Sequence, residues 1–419
     1  LVAAAEAVPG EPDVPALRAR AAEAFDAASE WARGLGSWRD AIAHVERALE
    51  LVDDPADQVR LLCRIALASQ SSGDWNKGVT AGGEAIDLAR EAEDEVGETL
   101  AAGLTGFLMV RQNRYGDAVD LVRPYWDQFK DRDDADEAVY WVARALCLSK
   151  GEMGEWDQAP AQAMVRVGER SGDLTKTVIG MTYLATAFYS EGLRHTARTL
   201  LNGAATLSRE HGLKEAESTA LTNLGYLLFD DDLPAAAEAT RASSILDREM
   251  HSSDGIALCA QNLAEALFHT GDWDERDAML RREGDDVPVG SLSRTVGGTI
   301  YIDMVRGEPA TELAVPDADT DPFGHADTIL LNARMRHYRG DGGPFGPVAE
   351  SLRMLREAAP GEDWLSWLVD PDLRAILEPA EWTGLADEVE HRPDHTLPNQ
   401  ARGNRHRLRA HRELIRTGP

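Results

Sequence analysis

Cysteine is scarce in this chain: 419 residues hold three, Cys63, Cys147 and Cys259, separated by 84 and 112 positions. No pair has the CxxC spacing that holds zinc, and no even set suggests a disulfide framework, so a reducing cytoplasm fits better than secretion. Long hydrophobic runs are missing too. Nothing approaches the roughly 18 apolar residues of a membrane-spanning helix, and the N-terminus lacks the basic region of a signal peptide. A start at Leu1 rather than Met suggests a piece excised from a longer protein.

Positive charge is in short supply: 43 Lys+Arg stand against 73 Asp+Glu, a net charge of -30. So acidic a body repels polyanions on average, which argues against nucleic acid as its partner. Residues 390–419 are the exception, with seven arginines facing three acidic residues. This basic stretch reads as a solvated, flexible tail, and nucleic acid could be held only there.

Catalytic signatures are missing as well. There is no GxxxxGK followed by Ser or Thr, so the backbone cradle and phosphate-binding lysine of a P-loop are lacking, and HExxH, GxSxG and calcium-loop spacings are absent. His391 and His395 are four apart, but Pro393 between them works against the helix that would put both on one face. No enzyme activity, cofactor or metal is expected.

What is present is a globular composition, 43% hydrophobic and 28% charged. The length suits two or more ordinary domains or one elongated repeat array. A repeat is plain. A small residue, a spacer and an aromatic recur as Gly36-Ser37-Trp38, Gly73-Asp74-Trp75, Asn113-Arg114-Tyr115, Gly154-Glu155-Trp156 and Gly271-Asp272-Trp273. The aromatics step by 37, 40 and 41 residues, and the last gap of 117 has room for two more units, at Gly192-Leu193-Arg194 and Asp232-Leu233-Pro234. Nine residues before each turn's third residue stand Ser29, Ala66, Gly106, Cys147, Ala185, Gly225 and Ala264, all small. Three after it come Ala41, Gly78, Ala118, Ala159, Ala197, Ala237 and Arg276, small in six of seven. Small residues at these points let paired helices approach to the 8–10 Å of close packing. Cys147 is then a packing residue rather than a nucleophile.

Stripes such as Leu221, Leu224, Gly225 and Leu228 have the i, i+3, i+4, i+7 spacing of amphipathic helices, and no stretch alternates like a strand. Breaks such as Asp53-Asp54-Pro55 put proline where a helix begins. The turn aromatics recur with the repeat and should be scaffold.

The small residue, the Gly-x-aromatic turn, and Ala three and ten residues on (Ala41 and Ala48; Ala197 and Ala204) resemble the tetratricopeptide repeat over about residues 20–284. The period is nearer 40 than 34, and Arg241, Arg276 and Glu283 replace small or apolar residues, so a distorted seventh unit is expected. Residues 51–62, 221–229 and 261–273 further resemble the C-terminal repeat region of bacterial signal-transduction ATPases with numerous domains. That resemblance implies a sensor region attached to an ATPase or cyclase-like effector, with no catalytic residue in this chain.

The expected fold is an all-α, right-handed α-solenoid: a lead-in over 1–19, seven repeats over 20–284, and degenerate repeats with a helical cap over 285–389. A helix over Ser291 to Val305, helices Ala326–Arg339 and Val348–Ala358, and a cap containing Trp364, Trp367 and Asp370 to Leu377 are the particulars. Solenoids need such caps, because a last repeat otherwise exposes its apolar face.

First helices of such hairpins line the concave surface. Their positions give Asp26 and Glu30 in the first unit, Phe107 and Arg111 in the third, and Trp141 and Arg144 in the fourth. The fifth gives Tyr189, the sixth Asn223, Tyr226 and Phe229, and the seventh Asn262 and His269. Asn223 and Asn262 are equivalent, and an amide there can donate to and accept from an extended peptide backbone. Tetratricopeptide domains that grip peptides commonly use an asparagine in this way, so the resemblance implies that role here.

These residues point to a protein or peptide partner, with a basic one favoured by long-range steering toward the acidic body. A small-molecule sensor closing around the Phe107–Tyr226 region and a self-associating assembly module are the alternatives.

Overall fold

The computed structural model describes residues 13–229, 231–250 and 252–283 and, further on, 302, 306, 312–315, 317–318, 322–341, 343, 345–358 and 375–390. Among them the chain is all-α, with 17 helices and no strand. The expected helix over Ser291 to Val305, the tryptophans Trp364 and Trp367, and the tail beyond residue 390 fall largely or wholly outside the described residues.

Fourteen helices form seven successive hairpins. These are α1 Val14–Gly34 with α2 Trp38–Leu49, α3 Pro55–Ser72 with α4 Trp75–Glu91, and α5 Glu95–Arg111 with α6 Tyr115–Phe129. Then come α7 Asp136–Glu152 with α8 Gln158–Ser171, α9 Leu174–Ser190 with α10 Arg194–Glu210, α11 Lys214–Leu228 with α12 Leu233–Glu249, and α13 Ser253–Thr270 with α14 Trp273–Glu283. Later in the chain α15 Pro322–Tyr338 packs on α16 Val348–Ala358, with α17 Pro379–Glu390 against α16 around the buried Trp382.

The turn motif has a backbone cause. Its first residue takes the left-handed conformation, with φ of +73° to +85° at Gly36, Gly73, Gly154, Gly192 and Gly271. Asn113 does the same at φ +60°, which explains why asparagine, a non-glycine that tolerates this region, replaces glycine in the third repeat. Pro55 opens α3 as expected, and Asp74, Asp94 and Asp173 cap their helices by accepting from the Lys77, Gly97 and Lys176 amides.

The small residues sit where the helices cross: Ala41, Ala118, Ala185 and Ala197 are wholly buried, and a Cβ on Gly106 would strike Val122 at 2.5 Å. Cys147 is buried in the same register. In the seventh hairpin Arg276 takes the small-residue position and is itself buried, 3.4 Å from Asp277. The hairpin still forms, with a second helix of only 11 residues.

First helices of neighbouring hairpins touch one another, as α3 does α5, α5 does α7 and α9 does α11. They therefore form the inner layer. The superhelix winds tightly enough that α13 of the seventh hairpin also meets α3 of the second. Among the described residues no helix is long and apolar enough to cross a membrane.

Candidate functional site

A cleft of about 370 Å³ runs along the inner layer where α3, α5 and α7 converge. Val59, Cys63 and Leu67 of α3, Leu100 and Leu104 of α5, and Trp141 of α7 make its floor. They meet here because each lies on the face of its helix that the hairpin partner leaves uncovered. Arg60, Arg64, Asp94 and Glu137 supply the polar lining.

Most of that charge is already engaged. Arg64 pairs with Asp26 and Glu30 of α1, and Arg60 reaches Asp26 at 3.0 Å and Asp57 at 3.4 Å. Glu137 accepts from the Trp141 indole Nε1 at 2.9 Å and pairs with Lys176 of α9. Asp94 is spent on the cap of α5, where its Oδ1 accepts from the Gly97 amide at 2.9 Å.

The floor thiol is no nucleophile: burial, aided by the nearby Asp94 charge, pushes Cys63 up to about 12, so it stays protonated at neutral pH. Among the described residues no three His, Cys, Asp or Glu side chains converge as metal ligands would. An apolar floor with a few fixed polar groups suits binding.

The residues singled out from sequence fall into three groups. Phe107, Trp141 and Arg144 come together at the middle of the inner layer. The two rings meet edge to face with centroids 5.6 Å apart, and the Arg144 guanidinium lies 4.7 Å from the Phe107 ring centre and 5.1 Å from that of Trp141. All three are buried. Burial presses Arg144 toward its neutral form, but the fields of Tyr140, Tyr183 and Glu215 prevail and hold its pKa above the ordinary value. Arg111 instead turns back to the scaffold, 5.8 Å from the Trp75 ring centre.

The second group joins the fifth and sixth hairpins. Tyr189 is buried and meets Tyr226 edge to face at 6.2 Å, while Tyr226 is more than half exposed. The Asn223 amide oxygen accepts from the Thr186 hydroxyl at 3.3 Å and its nitrogen donates to the Thr219 carbonyl at 2.9 Å, so the amide is tied both to its own helix and to α9. In the third group Phe229 meets the exposed His269 at 5.6 Å, and Asn262 is half-buried on α13.

Arg60, Arg64 and the apolar floor of the second and third hairpins are the part that the residue choice missed. Arg64 stands two residues before Ala66, the register that Asn223 and Asn262 hold before Gly225 and Ala264. That equivalence was the available signal.

No protein-family model matches the chain, and its sequence matches no curated protein. Its structure is similar to a Rap protein complexed with Competence and Sporulation Factor, with a TM-score of 0.51 at 12% identity over 95% of this chain and 99% of that one. It is also similar to the apo form of RapI, with a TM-score of 0.45 at 10% identity over 80% of this chain and 97% of that one. Yeast Tom70 gives a TM-score of 0.32 at 12% identity, over 94% and 96% of the two chains. The first of these likenesses shows the fold, a tetratricopeptide-type helical repeat.

Proposed function

We propose that this solenoid is a non-catalytic binding scaffold that holds a peptide or an extended segment of a protein along its inner layer. The observation that carries the reading is the cleft under α3, α5 and α7, apolar below and charged along its edge, on an inner layer that curls until α13 meets α3. An extended chain can place alternate side chains on such a floor and offer its backbone to polar groups such as Asn223 and Asn262. The Rap protein of similar fold is in complex with Competence and Sporulation Factor, which supports reading this solenoid as a binder.

In the parent protein, the resemblance of residues 51–62, 221–229 and 261–273 to bacterial signalling ATPases makes this the sensor region, working in the cytoplasm. Capture of the ligand then shifts an attached effector between closed and open forms, to the extent that the ligand binds the two forms with different affinity. Residues 20–284 would be the sensor, 285–389 its cap and 390–419 a tail.

Selection from a random 12-residue peptide library on the immobilised protein tests this. Enriched peptides should bind with dissociation constants of about 1 μM or tighter and lose tenfold or more on Leu100→Glu, which puts a charge on the floor. A library that yields no peptide sensitive to Leu100→Glu overturns the peptide reading. The cleft volume of about 370 Å³ also suits a small metabolite, and a compound retained through purification and lost in the same variant would favour that second reading.

A further inference from the structure

We propose that the free face of α1, outside the cleft, is an interface at which two copies of this chain pair, α1 against α1. Six junctions inside the chain show what that face is built for. At each of them the second helix of one hairpin packs on the first helix of the next, as α2 does on α3, α4 on α5 and α8 on α9. In α9 the contact is close: a Cβ on Gly180 would meet the Val165 amide nitrogen of α8 at 2.8 Å and the Met164 Cβ at 3.0 Å.

Gly180 lies 14 residues before the third residue of its turn. The equivalents Leu61, Ala101, Val142, Ala220 and Cys259 are no more than 1% exposed. Two helical turns further on, the same face holds Ala68, Leu108, Ser149, Ala187, Leu227 and Ala266, none more than 4% exposed. In α1 these two positions are Ala24 and Trp31, and both are exposed, Trp31 at 72%. Leu35, 58% exposed, extends the stripe by one more turn. Among the described residues no hairpin precedes α1 to cover it. End repeats of a soluble solenoid turn a polar face outward. A tryptophan here, where the six other hairpins hold nothing larger than leucine, marks a face with a partner.

The stripe is complementary to itself. Ala24, Ala27 and Ala28 lie on the Trp31 side of α1 in the two turns before it. Two α1 helices crossing antiparallel, with a two-fold axis between Ala27 and Ala28, set each Trp31 on Ala24 of the other copy and each Leu35 on the aliphatic stem of Arg20. A large ring thus meets a bed of small side chains in both directions, and the central alanines let the backbones close to about 8–10 Å. Charge permits the approach. Residues 13–50 hold five arginines against seven acidic residues, a net charge of -2 out of -30, so copies that meet by their first hairpins keep most of their like charge apart. Two tryptophans and two leucines seated in this way cover roughly 1,000 Å² in all, the lower bound of a specific interface, so the pair is weak and concentration-dependent.

Sedimentation equilibrium of the whole protein between about 5 and 200 μM reads the pairing. The mass should rise from one chain toward two, with a dissociation constant of about 10–100 μM. Trp31→Glu and Ala27→Glu, each at an exposed position, should weaken it tenfold or more while helical circular dichroism and the urea midpoint stay as they are. Ala28→Cys, at the centre of the crossing, should link two chains through a disulfide on mild air oxidation about tenfold faster than Thr206→Cys, an exposed control on α10. The three native cysteines are buried and do not compete.

A protein that stays monomeric to about 200 μM overturns the inference and leaves the face to a helix of a different chain. A dimer that both glutamate variants leave intact overturns it as well. So does a dimer that they dissolve but that Ala28→Cys links no faster than Thr206→Cys, because Trp31 then sits on a surface other than α1.

Discussion

Gly103 of α5 lies so close to Trp141 of α7 that a Cβ on it would meet the Trp141 carbonyl carbon at 2.8 Å and the Val142 amide nitrogen at 2.7 Å. Two inner helices cross here in backbone contact, and the crossing sets Phe107, one turn along, against the Trp141 ring. Backbone atoms cannot swing aside as a side-chain tip can. Gly103→Ala should therefore cost about 1–3 kcal/mol despite the better helix propensity of alanine. Gly203→Ala on α10, with nothing within 4 Å, is the control and should gain about 0.5–1 kcal/mol. Urea midpoints moving in the same direction for both variants would contradict this account.

Asp247 of α12 is buried between the sixth and seventh hairpins, with Ser218 donating to Oδ1 at 2.6 Å and the Cys259 thiol to Oδ2 at 3.4 Å. Burial raises its pKa, and the hydrogen bonds from Ser218, Cys259 and Ser243 only partly oppose that. The folded state thus holds its proton more tightly than the unfolded chain, whose aspartates titrate near 3.9. Its stability contribution is whole below that pH and is lost as pH rises through the raised folded value. Asp247→Asn, permanently neutral, should match the native protein at pH 3.5 and exceed it at pH 7. A stability difference between the two that stays flat with pH would show that the hydroxyls fully compensate the buried charge.

Much of this fold can be read from spacing because each repeat poses the same local problem. Gly36, Gly73 and Gly154 answer a left-handed turn and Ala41, Ala118 and Ala197 a close crossing, and both demands recur at a fixed interval. The inner surface is harder. Register places Phe107, Arg144 and Tyr189 on the inner helices, but how far each is buried depends on how tightly neighbouring hairpins wind, and here close crossings such as Gly103 against Trp141 cover them. The meeting of α13 with α3 sums small rotations over five successive hairpins, a quantity no single motif encodes. The cleft was within reach, since Arg64 shares the register of Asn223. A search for amides overlooks an arginine held there by Asp26 and Glu30 of the preceding hairpin.

That arginine should matter little to stability. Arg64 and Asp26 are each 22% exposed and Glu30 47%, and Asp26 keeps Arg60 as a partner, so Arg64→Ala should lower stability by only about 1 kcal/mol. Its removal leaves Asp26 to Arg60 alone and Glu30 to Arg33 alone, and makes the edge of the cleft more negative by one charge. Association of a lysine-rich library peptide should become faster at low salt and fall more steeply with ionic strength than in the native protein. Stopped-flow rates that keep the native salt slope would mean that these acids do not face the ligand's approach.

The three thiols give a direct reading of cleft access. Burial pushes Cys63 and Cys259 up to about 12 and Cys147 higher still. At pH 8 only about one thiol in ten thousand is ionised at such a pKa, so iodoacetamide should react far more slowly than with a free cysteine. The three should nonetheless differ. Cys63 lines the cleft, whereas Cys147 lies at a helix crossing and Cys259 within the polar cluster around Asp247. Labelling followed by peptide mass spectrometry should therefore find Cys63 modified first, with Cys147 and Cys259 reacting only at the rate of global unfolding. A library peptide seated on the floor should slow Cys63 alone by tenfold or more. Equal rates at all three sites would mean that the cleft is closed in solution and opens only when the solenoid unfolds.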